Sequence, residues 1–88
     1  MGTVGLTIKV MPSGVEVDRK ELRKAIEKAL DKKAKIVRIF EQPIAFGLVA
    51  LMVQVTMDDA HGNPDALEET LEAIEDVESV TVEEVGLL

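Results

Sequence analysis

Two predicted strands with no helix between them lie in the central stretch, residues 36–57, IVRIFEQPIAFGLVALMVQVTM. A strand pair without an intervening helix is the strongest indication of the fold in this sequence. The first strand, Ile36–Phe40, leads into Pro43, and proline cannot continue a central strand because it lacks the backbone donor. The second strand, Leu48–Met57, is the most apolar run of the chain and is typical of a buried strand. We therefore expect an edge strand followed by a long interior strand.

The segments on either side supply two further strands and two helices. Val4–Val10 alternates apolar and polar residues, which is the pattern of a half-buried strand. Asp18 then precedes apolar residues at helical spacing, which predicts a capped helix with a basic outer side. After the central stretch, Asn63 as the cap and Pro64 at the first helical position predict a second helix, whose outer side is acidic. Val80–Val85 is predicted to be the last strand.

The predicted order of elements is strand, helix, strand, strand, helix, strand. This order predicts an α+β fold, the ferredoxin-like βαββαβ sandwich, with a four-stranded antiparallel sheet and two helices on one face. Both helices cover the same face because strand–helix–strand crossovers are right-handed, so the other face of the sheet is left open. A length of 88 residues fits one domain, and we expect residues 1–88 to form it.

Composition narrows the cellular setting and the class of partner. The chain has no cysteine, which suits a reducing cytoplasm, and no apolar run of the roughly 20 residues that a membrane span needs. We therefore expect a soluble cytoplasmic protein with no membrane contact. With no Trp or Tyr and only 2 Phe residues, the chain lacks the stacking platforms of single-strand binders, and we expect no direct nucleic-acid binding.

The charges are divided along the chain. All 10 Lys and Arg residues lie at or before Arg38, whereas residues 39–88 contain acids and no Lys or Arg. The predicted fold accounts for this division, because it places a basic helix beside an acidic one and their facing rims can pair. The charge runs therefore indicate solvated helix faces rather than a binding function.

The sequence predicts no catalytic residues, no metal site and no cofactor. The chain has no Cys or Tyr and a single histidine, His61, so nucleophilic catalysis has little to work with. The acids around His61 do not match the calcium-loop template, because counting back from Gly62 puts Met57 at the first ligand position. The glycines do not have the spacing of a phosphate-binding loop either.

One local anomaly remains, the apolar segment between the two central strands. Pro43 and Gly47 mark it as a loop, yet it contains Ile44 and Phe46. Composition alone favours these two side chains folding back onto the core. The alternative is a recognition loop, since a proline-restricted loop loses little entropy on binding and an aromatic anchor contributes a large share of interface energy.

Three segments resemble a known family, the archaeal form of elongation factor 1-beta, which is the guanine-nucleotide exchange factor for elongation factor 1-alpha. They are TIKVMP at residues 7–12, PIAFGLVAL at 43–51 and VESVTVEEVGLL at 77–88. PIAFG is the most specific of the three, because it is similar to the Pro-Ile-Gly-Phe-Gly loop of eukaryotic relatives, with Ala45 in place of a glycine. The family has the ferredoxin-like fold.

The resemblance implies that residues 1–88 form a single guanine-nucleotide exchange domain acting in translation elongation. Such a protein catalyses no covalent change, needs no cofactor, and promotes exchange of GDP for GTP on elongation factor 1-alpha by binding its GTPase domain. In relatives the loop phenylalanine contacts the GTPase, and that role carries over to Phe46. The resemblance assigns partner contacts to two groups of residues: Pro43, Ile44, Ala45, Phe46 and Gly47 in the loop, and Gly86, Leu87 and Leu88 in the tail.

The tail departs from the eukaryotic pattern, in which a lysine near the C-terminus reaches the magnesium site. Residues 85–88 contain no base. We therefore expect exchange to rely on wedging and on distortion of the partner's switch regions.

Two other functions stay open. A small-ligand-binding regulatory domain of the same fold, acting as a dimer, would use the open sheet face, on which Thr7, Lys9, Gln54 and Thr56 are predicted to lie. An exchange factor is expected to be a monomer when free. An acylphosphatase-like enzyme is the least favoured, because residues 11–14 contain no arginine to cradle a phosphate.

Overall fold

The computed structural model describes residues 2–14, 16–31, 33–58 and 64–87. The elements in chain order are β1 (Thr3–Pro12), α1 (Arg19–Leu30), β2 (Lys35–Ala45), β3 (Leu48–Asp58), α2 (Pro64–Glu72) and β4 (Val77–Leu87). The four strands form one antiparallel sheet in the order β2-β3-β1-β4. The predicted α+β ferredoxin-like fold is therefore confirmed, with β2 at an edge and β3 in the interior.

The core lies between the sheet and the two helices. Alternate residues of β1 point into it, so Leu6, Ile8 and Val10 are buried while their neighbours are half-buried. Leucines and isoleucine from α1 and leucines from α2 join the same cluster, which places both helices on one face of the sheet. This alternation is the period of two that a sheet with one covered face requires.

The sheet face opposite the helices carries its own small apolar cluster. Ala50 and Met52 point away from the core, yet they are only 0% and 7% exposed. Register pairing places Met52 between Phe40 of β2 and Lys9 of β1. Both flanking residues are half-buried and Met52 is almost fully enclosed, so little of this part of the open face is accessible.

The predicted helix starts agree with the structure where it describes them. Asp18 caps α1, since its carboxylate accepts hydrogen bonds from the backbone N–H of Lys20 at 2.9 Å and of Glu21 at 3.4 Å. Pro64 is the first residue of α2, whereas Asn63 and His61 lie outside the described residues. Within the described residues, neither helix has the length and apolar character needed to cross a membrane.

Two of the predicted strands are too short. β2 does not stop at Phe40 but runs through Pro43 to Ala45, because an edge strand tolerates a residue without a donor. β4 begins at Val77 rather than Val80 and includes Gly86 and Leu87, so most of the predicted tail is paired strand. α2 ends at Glu72, and Ile74 packs against the core from the turn that follows.

Candidate partner-binding hairpin

The hairpin formed by β2 and β3 continues beyond the last residue pair that joins it to β1. The last residue pair between β1 and β3 is Val10 with Leu51, whereas β2 and β3 stay paired from there to Ala45 and Leu48. The described residues consequently span 42 Å in one direction and 20 by 18 Å in the others. The end of this hairpin is the segment that the sequence singled out as a candidate site.

A two-residue turn closes the hairpin. Phe46 and Gly47 connect Ala45 to Leu48, and both have positive φ, 54° and 81°. Positive φ at both central positions is the pattern of a type I′ turn, whose twist matches the twist of the two flanking strands. Gly47 adopts this conformation without steric cost, but Phe46 has a β-carbon and does not.

The backbone of Phe46 is therefore strained, and its side chain has no packing partner in the described part of the chain. A non-glycine residue in the left-handed region costs about 1–2 kcal/mol, and the usual occupants are Asn and Asp rather than bulky residues. The ring recovers none of this cost from packing, because Phe46 is 98% exposed and neighbouring Ile44 is 40% exposed. The interpretation that these side chains fold onto the core is wrong. Strain held at an exposed aromatic residue is a typical feature of functional sites.

The two predicted groups of partner-binding residues lie at opposite ends of the sheet. Leu87 and Met57 both pair with Val4, and Met57 is nine residues along β3 from Leu48 at the hairpin end. At ~3.3 Å per residue, about 30 Å separates the hairpin turn from the end of β4. Pro43 to Gly47 are therefore brought together, Gly86 and Leu87 are not brought near them, and Leu88 lies outside the described residues.

Arginine contacts at the base of the hairpin were not predicted from the sequence. On the helix side, Arg19 forms an ion pair with Glu41 at 2.6 Å, and Arg23 donates a hydrogen bond to the carbonyl of Ile39 at 2.5 Å. The sequence signal that could have indicated them is the spacing of Arg19 and Arg23, which puts both side chains on one face of α1.

A third arginine holds β2 from the open face. Arg38 stacks over the ring of Phe40 at 4.7 Å from its centroid, and its Nε donates a hydrogen bond to Oε1 of Gln54 at 2.9 Å. Phe40 is the register partner of the buried Met52 on β3. The base of the hairpin is thus fixed on both of its faces.

The open face also contains a shallow cleft near the end of β4. Its volume is about 600 Å³, and its floor includes Thr7, Gln54 and Thr56. Glu83 and Glu84 of β4 line one side. Three of the four residues that sequence reasoning assigned to a ligand-binding face therefore lie together in a cleft. No group of three or more His, Cys, Asp or Glu residues that could bind a metal occurs within residues 2–14, 16–31, 33–58 and 64–87.

Comparison with known proteins places this geometry in a family. The family described as the EF-1 guanine nucleotide exchange domain matches residues 5–88. The chain is 46% identical to elongation factor 1-beta of Methanothermobacter thermautotrophicus over 88 residues, which is 100% of this chain and 99% of the relative. It is 43% identical to elongation factor 1-beta of Natronomonas pharaonis over 86 residues, 98% of each chain.

A solved structure shares the fold at low sequence identity. The C-terminal domain of the MgtC protein from Mycobacterium tuberculosis superposes with a TM-score of 0.68 at 15% identity, covering 99% of this chain and 89% of that one. This likeness concerns the fold alone. The sequence matches indicate a nucleotide exchange role in elongation, and the resemblance to archaeal elongation factor 1-beta is confirmed. The chain therefore belongs to the EF-1 guanine nucleotide exchange domain family.

Proposed function

We propose that this protein promotes exchange of GDP for GTP on elongation factor 1-alpha by inserting the end of the β2–β3 hairpin into the partner's GTPase domain. The observation that carries the proposal is the position of Phe46, a fully exposed aromatic ring at the end of a projecting, two-residue turn. Residues 1–88 act as one exchange domain, catalyse no covalent change and need no cofactor.

The hairpin end suits an interface anchor for two physical reasons. Burying a phenylalanine ring that is already exposed stabilises a complex by about 1.5–3 kcal/mol. The turn is short and Pro43 restricts the preceding backbone, so little conformational entropy is lost when the partner binds. Ile44 is also exposed and adds apolar surface beside the ring.

Exchange requires that this protein and GDP oppose each other on the partner. A factor that binds nucleotide-free elongation factor 1-alpha more tightly than the GDP-bound form lowers the affinity for GDP by the same ratio. A coupling of about 3 kcal/mol, roughly 150-fold, is at the upper end of the usual range. An anchor such as Phe46 contributes to this coupling if its pocket is open only in the nucleotide-free partner.

The tail residues Gly86, Leu87 and Leu88 belong to a second, separate contact in this proposal. Gly86 and Leu87 lie about 30 Å from the turn, so one partner pocket cannot hold both groups. Since residues 85–88 carry no base, this second contact displaces no cation by charge. We assign the main part of the exchange activity to the hairpin.

The protein is proposed to act in the cytoplasm as a monomer without binding nucleic acid itself. A net charge of −7 disfavours contact with a phosphate backbone. The exposed Phe46 is a single ring on a narrow hairpin, and this surface is smaller than the roughly 800 Å² per partner that a stable dimer usually buries.

The direct test is the rate at which fluorescent GDP leaves elongation factor 1-alpha. Phe46→Ala should slow stimulated release by at least about tenfold, corresponding to the loss of 1.4 kcal/mol or more of anchor energy. Val37→Ala is the matched control, because Val37 is an exposed apolar residue of the same strand, 59% exposed, far from the turn. Equal release with Phe46→Ala and with the wild type would show that the hairpin end is not the site.

The open-face cleft favours one alternative, a small-ligand-binding regulatory domain that acts as a dimer. A cleft of this size, about 600 Å³, falls within the range of small-molecule sites. Sedimentation velocity at high protein concentration distinguishes the two functions. A monomer supports the exchange factor, whereas a dimer that changes with added metabolites supports the alternative.

A further inference from the structure

The chain has only three arginines, and all three contact β2 immediately before it projects from the sheet. They are Arg19, Arg23 and Arg38. Their contacts fall within four consecutive residues of β2, from Arg38 to Glu41. The pairing of β3 with β1 ends at Leu51, which faces Glu41 of β2, so these four residues are the base of the projecting hairpin end.

Two of the arginines hold the helix-facing side of that base. Arg19 and Arg23 are four residues apart on α1, so they leave the helix in the same direction. Arg19 pairs with the carboxylate of Glu41, and Arg23 donates to the backbone carbonyl of Ile39.

The third arginine holds the opposite side. Arg38 lies over the ring of Phe40 and hydrogen-bonds to Gln54 of β3, which joins the two strands of the hairpin across its open face. Phe40 is the register partner of Met52 on β3, and Met52 is only 7% exposed. Stacking on a ring together with a directed hydrogen bond is a combination that arginine makes and lysine does not, because only the guanidinium group is planar.

We infer that Arg19, Arg23 and Arg38 form a clamp that fixes the direction of the hairpin and thereby presents Phe46 to the partner in one orientation. A two-stranded ribbon is only marginally stable in water, so an unsupported hairpin bends at its base. Fixing the base before binding reduces the entropy that the partner must overcome. The three arginines are positioning residues in this inference, which rests on the function proposed for Phe46.

The experiment replaces each arginine by lysine, which preserves the charge and removes the planar guanidinium group. The double variant Arg19→Lys/Arg23→Lys and the variant Arg38→Lys should each bind nucleotide-free elongation factor 1-alpha about three- to tenfold more weakly. Lys20→Gln is the matched control on the same helix, because Lys20 is exposed and contributes only a backbone hydrogen bond to the cap. Its affinity should equal that of the wild type.

Charge reversal provides a rescue that a general loss of stability does not mimic. Arg19→Glu places a second carboxylate beside that of Glu41 at the base of the hairpin. The repulsion between the two should weaken partner binding. Adding Glu41→Arg restores an ion pair in the reverse sense and should recover most of the affinity. Failure of the second substitution to recover any affinity, at an unchanged melting temperature, would contradict the clamp.

Motion of the free protein separates the clamp from the proposed function. In the lysine variants, the NMR order parameters of the Ala45 and Phe46 amides should fall, while those of β1 stay unchanged. Unchanged order at the turn would overturn the clamp. Increased motion at the turn, together with a Phe46→Ala variant that exchanges GDP normally, would preserve the clamp and refute the hairpin as the exchange site.

Discussion

Replacing Phe46 by asparagine should make the protein more stable and less active. Phe46 has φ 54° and is 98% exposed, so it bears the cost of the left-handed conformation without gaining packing energy. Asn-Gly is the pair that type I′ turns favour, and asparagine tolerates the left-handed region far better than phenylalanine. Since the cost for an ordinary residue is about 1–2 kcal/mol, we expect Phe46→Asn to raise the free energy of unfolding by about 1 kcal/mol.

Thermal and urea unfolding measure this gain. For a domain of this size, 1 kcal/mol corresponds to an increase in melting temperature of about 4–8 °C. Phe46→Ala is the matched control for stability, because alanine retains the β-carbon and should leave the melting temperature nearly unchanged. Both variants should slow GDP release from elongation factor 1-alpha alike, because both lack the ring.

If Phe46→Asn destabilises the protein, Phe46 is not a strained residue without packing. The ring then packs against the hairpin in solution, or the turn is not left-handed. An asparagine variant with higher stability and normal GDP release would retain the strain argument but remove the ring from the function. The predicted combination, higher stability with lower activity, is what a strained functional residue produces.

Two further substitutions and one deletion test other parts of the structure. Asp18→Ala removes the cap of α1 and should lower the free energy of unfolding by about 1 kcal/mol, measured in urea, while GDP release well below the melting temperature stays near the wild-type rate. Gly86→Ala should leave stability within about 0.5 kcal/mol, because a β-carbon there meets no atom within 4 Å; a fall in GDP release would locate a partner surface against Gly86. Deleting Leu87 and Leu88 should reduce GDP release less than Phe46→Ala does, and the opposite ranking would move the main contact to the end of β4.

The order of strands was predictable because it depends on residues with a single clear meaning. Pro43 excludes β2 from the interior of a sheet, and the valine-rich run of β3 is too apolar for an edge. The alternation around Leu6 and Ile8 determines which side of β1 is covered. These patterns depend on local backbone chemistry and on the period of a strand, both of which can be inferred from the sequence.

The direction of Phe46 was not predictable from composition. Proline and glycine around residues 43–47 indicated a loop of several residues, but the strand continues to Ala45 and the turn is two residues long. A longer loop could have folded back onto the core, whereas a two-residue turn leaves the ring no surface to reach. The outcome depends on the register of β2 and β3, and register is set by pairing across the whole hairpin.

The arginine contacts depend on tertiary structure and were missed for the same reason. Arg19 and Glu41 are far apart in the sequence, and only the packing of α1 along β2 brings them to 2.6 Å. Four of the five basic residues of α1 are exposed, as the division of charges predicted, whereas Arg19 is half-buried against β2. That prediction did not distinguish arginine from lysine, although the contact of Arg38 with the Phe40 ring uses the planar group that only arginine has.

Intermolecular cross-saturation in NMR reports whether the hairpin end enters the partner. The isotopically labelled protein would be bound to unlabelled, nucleotide-free elongation factor 1-alpha, and saturation would be transferred from the partner. We expect the strongest transfer at the amides of residues 44–47 and the weakest on the exposed face of α2. Strong transfer confined to the open-face cleft or to the end of β4, with none at Phe46, would show that the hairpin end does not enter the partner.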